Sequence, residues 1–120
     1  LALTPAMTFA ETEIKNVSAE EAAKLLADKN LQLQVLDIRT QEEFEEGHID
    51  GAILVDFRGA DFKDQLKKLD KSKPYLMHCR SGGRSTTAFK TFRELEFQKI
   101  FHLNSGILGW LDAGKPVEKP

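Results

Sequence analysis

The sequence predicts an α/β domain: a central, mostly parallel five-stranded sheet with helices on both faces. Two observations carry this. Short apolar runs rich in Val, Ile and Leu alternate along the chain with segments of helical periodicity, the signature of parallel strands joined by helical crossovers. Two of the helical segments open at capping boxes, and two close at Gly or Pro.

Ile14 to Val17 reads as a first short strand. Ser18 and Glu21 have capping-box spacing, so a helix starts at Ser18 as N-cap and runs to about Asp28 or Lys29, burying Ala22, Leu25 and Leu26. Leu33 to Ile38 is a second strand. Thr40 and Glu43 repeat the capping box and open a brief acidic helix that stops at Gly47. Ala52 to Val55 is predicted as a buried strand, and Ala60 to Leu69 as an amphipathic helix with Phe62, Leu66 and Leu69 inward. Pro74 to His78 is a strand. Arg84 to Phe97 has the longest helical pattern, with Ala88, Phe89, Phe92 and Leu95 at helical spacing. Ile100 to Leu103 is the last strand, and Ile107 to Ala113 a last helix before Gly114 and Pro116.

The chain has 120 residues, enough for one core. Its net charge of -2 gives no reason to expect nucleic acid or a membrane surface as partner, and a monomer is the simplest expectation. The three histidines lack ligand spacing, so no metal site is expected and no cofactor is implied. Leu1 to Ala10 is apolar and uncharged, with Thr8 and Ala10 as small residues before a polar stretch. That pattern is like the end of a secretory signal, so residues 1–13 read as a signal remnant or flexible arm and residues 14–120 as the domain. Export to a bacterial periplasm follows from the first reading, a cytoplasmic location from the second.

Cys79 is the only cysteine. It ends the apolar strand and opens the loop Cys79-Arg-Ser-Gly-Gly-Arg84, after which a helix begins. A thiol there faces backbone N–H groups, a helix N-terminus, Arg80 and Arg84, all of which favour negative charge. A cysteine with a pKa of about 8.5 is only a few per cent thiolate at neutral pH, and such surroundings bring reactive thiols down to roughly 3.5–7.5. A buried structural cysteine is the plain alternative, but a packing position has no use for two arginines and two glycines beside it. Gly82 and Gly83 let successive N–H groups turn toward the sulfur, and Ser81, Ser85 and Thr86 can add hydroxyl donors. In an open α/β sheet this loop falls at the C-terminal strand edge, where active sites lie.

Three segments resemble the rhodanese-homology family, together covering most of Val17 to Val117. They are Val35-Leu-Asp-Ile-Arg39 with Glu42-Glu-Phe44 and Gly47-His-Ile-Asp-Gly-Ala52; His78-Cys-Arg-Ser-Gly-Gly-Arg-Ser85; and Leu103-Asn-Ser-Gly-Ile-Leu-Gly-Trp110 with Gly114-Lys-Pro-Val117. The resemblance implies sulfur transfer. Cys79 would take the outer sulfur of thiosulfate or a similar small anionic donor as a persulfide, then pass it to cyanide or a thiol, such as one on a thioredoxin-like or other sulfur-acceptor protein. Arg80, Ser81, Gly82, Gly83, Arg84 and Ser85 would form the substrate-binding loop. Arg84 is expected to hold the donor, and Arg80 to point to solvent and steer. The loop has six residues, as in the sulfurtransferases, whereas phosphatase and arsenate-reductase relatives have seven. The rival reading is a sulfur carrier or protein-interaction module without significant turnover.

Other residues are weighed against plain structural roles. Asp37 and Arg39 are expected to support the site as a buried pair. His48 fits a turn. His78 precedes the nucleophile, but strand alternation points neighbouring side chains apart, which makes it a packing or hydrogen-bonding residue. Glu42, Glu43, Glu45 and Glu46 read as a solvated helix face, Trp110 as core or pocket wall, and the lysines from Lys63 to Lys73 as an exposed face.

Overall fold

The computed structural model describes residues 11–120. The signal-like segment at residues 1–10 lies outside the described residues, and Glu13 belongs to the domain as the first residue of its first strand. The strands are β1 (Glu13–Val17), β2 (Gln34–Asp37), β3 (Ile53–Leu54), β4 (Pro74–His78) and β5 (Lys99–Leu103). They form one parallel sheet in the order β1-β5-β4-β2-β3. The helices are α1 (Ala19–Ala27), α2 (Gln41–Glu46), α3 (Phe62–Lys67), α4 (Gly83–Glu94) and α5 (Gly106–Asp112).

Both capping boxes form. Ser18 accepts from the Glu21 N–H while the Glu21 carboxylate accepts from the Ser18 N–H, and Thr40 and Glu43 do the same. Each satisfies N-terminal donors that a helix otherwise leaves open.

The sheet carries two apolar layers, one per face. On one face α3 and α4 bury Phe62, Leu66, Ala88 and Phe92 against Leu36, Ile38, Tyr75, Met77 and Ile100. On the other, α1 and α5 bury Ala19, Ala22, Ile107 and Trp110 against Val17, Val35, Leu76 and Leu103. Cys79 joins the α3/α4 layer.

Three sequence expectations are corrected. The strand expected over Ala52 to Val55 shrinks to Ile53 and Leu54, both half-buried, because β3 is an edge strand paired only with β2. The helix expected from Ala60 starts at Phe62, since Gly59 to Asp61 form a turn closed by the Phe62 N–H on the Gly59 carbonyl. The helix expected to reach Phe97 ends at Glu94, where Glu96 adopts φ +62° and the Phe97 N–H turns back to the Phe92 carbonyl.

Candidate active site

Parallel strands with right-handed crossovers bring their C-terminal ends to one edge, and β4 delivers Cys79 there. The following loop folds around the sulfur. The Gly82 N–H donates to Cys79 Sγ at 3.2 Å, and the Ser85 hydroxyl lies 3.3 Å from it. Burial opposes a charge on this thiol. Hydrogen bonds from the Ser85 side chain and from the N–H groups of Ser85, Gly82 and Ser81 outweigh that cost and hold the thiol below its ordinary value. The expected anion-stabilising loop is therefore built mainly from backbone N–H groups and one hydroxyl.

Close packing fixes the loop. Gly82 has φ +105°, and a Cβ there would strike the Asn104 carbonyl oxygen. Gly106 presses on the loop from behind, where a Cβ would strike the Arg80 carbonyl. The first turn of α5 donates to the same backbone, Ile107 N–H to the Cys79 carbonyl at 3.0 Å and Leu108 N–H to the Arg80 carbonyl at 3.2 Å. The C-terminal segment thus positions the backbone of Cys79 and Arg80.

Arg84 is placed otherwise than expected. Its guanidinium makes a two-point contact with the Glu43 carboxylate, at 2.7 and 2.9 Å, which engages both of its terminal nitrogens. Glu43 correspondingly is not part of a solvated face: the Arg84 hydrogen bond pulls its carboxyl down to about 2, against partial burial. Arg80 is exposed and lines a cleft of about 410 Å³ together with Arg39, Glu43, Ile107, Leu108 and Leu111. Leu108 and Leu111 are the exposed large hydrophobics among the described residues. Cys79, 1 % exposed, lies beneath the loop rather than on the cleft wall. Ser81 and Gly83 sit at the loop surface, where a Cβ on Gly83 would meet open space.

Asp37 and Arg39 form a buried pair. Arg39 donates through Nε and Nη2 to the Asp37 carboxylate and through Nη2 to the Gly47 carbonyl, tying β2 to the end of α2. His78 Nδ1 lies 2.8 Å from the Cys79 carbonyl, which only accepts, so the proton sits on Nδ1. Its Nε2 has no hydrogen-bond partner and faces Asp37 Oδ2 at 3.7 Å. Burial pushes His78 down, against the nearby Asp37 carboxylate. His48 stacks on Phe44 with Nδ1 2.9 Å from the Phe44 carbonyl, and Trp110 donates to the Pro116 carbonyl from within the core. Among the described residues no group of His, Cys, Asp and Glu has a metal-binding arrangement.

Sequence reasoning passed over His102. Its Nε2 lies 2.6 Å from Ser85 Oγ, and its Nδ1 2.8 Å from the Asn16 side chain. Burial and the nearby His78 push it down to about 4, so it is neutral at neutral pH. A polar residue alternating with the core residue Ile100 on one strand face was the available signal, but its partners come from β1 and α4, which only the fold brings together.

A parallel α/β sheet with a thiol held in a hydrogen-bonding loop at its carboxyl edge defines the class of domain, with its candidate site where open α/β sheets place theirs. The chain belongs to the rhodanese-like domain family, whose family model matches residues 18–113. It is 36 % identical over 105 residues to the Bacillus subtilis (strain 168) protein named "Putative sulfurtransferase YtwF", covering 87 % of this chain and 97 % of that one. It is 28 % identical over 117 residues to thiosulfate sulfurtransferase 18 of Arabidopsis thaliana, covering 88 % and 84 %. The crystal structure of a rhodanese-related protein from Thermoplasma volcanium superposes with a TM-score of 0.74 at 26 % identity, covering 88 % of this chain and 99 % of that one.

Proposed function

We propose that this protein is a sulfurtransferase that moves sulfane sulfur from thiosulfate, or a similar small anionic donor, to cyanide or a thiol through a persulfide on Cys79. The single observation that carries this reading is the convergence of the Gly82 N–H and the Ser85 hydroxyl on the Cys79 sulfur at the end of β4. The thiolate attacks the outer sulfur of the donor. An Sγ–S bond forms, the donor's S–S bond breaks, and sulfite leaves with the electron pair. The acceptor nucleophile then attacks the outer sulfur of the persulfide, and the Cys79 thiolate leaves with the electron pair of that bond. The Gly82 N–H, fixed in the folded protein, faces the sulfur at both stages and stabilises its negative charge. Arg80, at the cleft, attracts the anionic donor, while Leu108 and Leu111 beside it offer an apolar footing to the carrier of an acceptor thiol.

The test is intact mass after mixing with thiosulfate, with Cys79→Ser as control. The unsubstituted chain is expected to gain the mass of one sulfur atom and to lose it on adding cyanide; the Ser variant gains nothing. No gain in the unsubstituted chain removes the proposal. A persulfide that forms but yields no turnover with cyanide or small thiols favours the sulfur-carrier reading instead.

A further inference from the structure

The Ser85 hydroxyl has one proton and three polar neighbours: Cys79 Sγ at 3.3 Å, the Gly82 carbonyl at 3.2 Å and His102 Nε2 at 2.6 Å. The carbonyl only accepts, and so does a thiolate. If Ser85 gives its proton to His102, the sulfur anion loses its hydroxyl donor. If His102 donates to Ser85 instead, the hydroxyl proton is free for the sulfur. The direction of the 2.6 Å contact therefore decides whether Ser85 supports the anion.

We propose that His102 is a positioning residue for Cys79: when the sulfur is a thiolate or persulfide anion, neutral His102 carries its proton on Nε2, donates it to Ser85 Oγ, and so turns the Ser85 hydroxyl onto the sulfur. This rests on Cys79 being the reacting sulfur of the proposed transfer. Asn16 makes the arrangement self-consistent. Its carboxamide faces Nδ1 at 2.8 Å and can present either its oxygen or its NH2 by turning over. It stands exposed on the edge strand β1, directly beside His102 in the sheet register.

In the thiol state the chain runs the other way. Cys79 S–H donates to Ser85, Ser85 to His102 Nε2, and His102 Nδ1–H to the Asn16 oxygen. Ionisation moves the thiol proton to Ser85 Oγ and the hydroxyl proton to Nε2, while the Nδ1 proton leaves to water at the sheet edge. One proton is lost in all, and every donor keeps an acceptor in both states.

The surroundings suit this role. Ser85 and His102 are buried, and the Phe89 ring meets the imidazole edge-on at 4.8 Å, fixing its orientation. The ionisable groups about it are few. β4 contributes His78, pushed down by burial, and Cys79 through Ser85; α4 presents Ser85 and Phe89, and β1 presents Asn16.

Nitrogen NMR of His102 in the unsubstituted chain tests the proposal, at pH values below and above the ionisation of Cys79 as followed by thiolate absorbance. Above that ionisation the protonated nitrogen is expected to be Nε2; a bare Nε2 there overturns the proposal. Two variants add a functional readout with no sulfur donor or acceptor present. His102→Phe keeps a ring but cannot donate, and is expected to raise the ionisation of Cys79 by roughly one pH unit, a tenfold loss of thiolate below it. His102→Gln can donate to Ser85 and is expected to recover most of that loss. No shift in His102→Phe, or an equal shift in both folded variants, overturns the proposal. These readouts follow ionisation alone, so a chain that accepts no sulfur from thiosulfate would defeat the proposed function without deciding this one.

Discussion

Arg84 and Glu43 meet in a two-point ion pair that joins the start of α4 to α2 across 41 residues of chain. The pair spends the loop's last arginine on holding the loop in place. Glu43→Gln is expected to cost about 2 kcal/mol of stability at pH 7, a figure kept modest because the pair is partly exposed. The carboxyl titrates at about 2 in the folded chain against 4.5 when free. Its contribution is therefore complete above pH 4.5 and lost as pH falls toward 2. Urea denaturation of the two proteins at pH 7 checks this, and equal midpoints would show that the pair holds nothing.

With Arg84 engaged, Arg80 is the loop's exposed cation on the cleft. Arg80→Gln is expected to raise the KM for thiosulfate about two- to fivefold with little change in kcat, the scale of one exposed charge contact. Raising the salt concentration should weaken donor capture by the unsubstituted chain more than by the variant. Steady-state kinetics at two ionic strengths measures both effects. A variant whose KM and salt response match the unsubstituted protein would place the donor elsewhere.

These two arginines show where sequence stops being legible. Strand alternation, capping boxes and the Cys79 loop are local patterns, so the α/β sheet, the starts of α1 and α2 and the place of Cys79 at the end of β4 could be read directly. What could not be read depends on contacts between distant segments. Glu43 looked solvated because its partner lies 41 residues away, and His102 looked like a strand residue because Asn16 and Ser85 lie on other elements. The end of α4 was misplaced because Glu96, which carries no Gly-like stop signal, takes the left-handed conformation that turns the chain. The edge strand β3 was overextended because an apolar run does not reveal how many neighbours it has.

Gly106 and Gly114 both have left-handed φ, +67° and +74°, but only Gly106 has backbone in the path of a Cβ. Gly114→Ala should cost only the conformational penalty, roughly 1 kcal/mol. Gly106→Ala adds a collision with the Arg80 carbonyl and the Ser81 nitrogen, and is expected to cost about 2–3 kcal/mol and to displace the loop from the sulfur. Chemical denaturation gives the two stabilities, and thiolate absorbance the loop's effect on Cys79. Equal losses in the two variants would mean that the loop tolerates movement at its back.

His102 also writes a pH dependence into the fold. Its imidazole titrates at about 4 when folded and at 6.5 when free, because protonation would put a charge in a buried site beside His78. Between those values the unfolded chain binds a proton that the folded chain refuses, so stability falls as pH drops. The contribution is intact above pH 6.5 and lost as pH falls toward 4, amounting to about 3 kcal/mol for the full interval. His78, also pushed down by burial, acts in the same direction, so His102→Gln should flatten this limb only in part. Urea midpoints at pH 7, 6 and 5 compare the two proteins above the range where most carboxylates titrate. The variant is expected to start less stable at pH 7 and to lose less on acidification. Parallel curves would mean that His102 takes up a proton in the folded state as readily as in the unfolded one, which a buried, neutral imidazole does not allow.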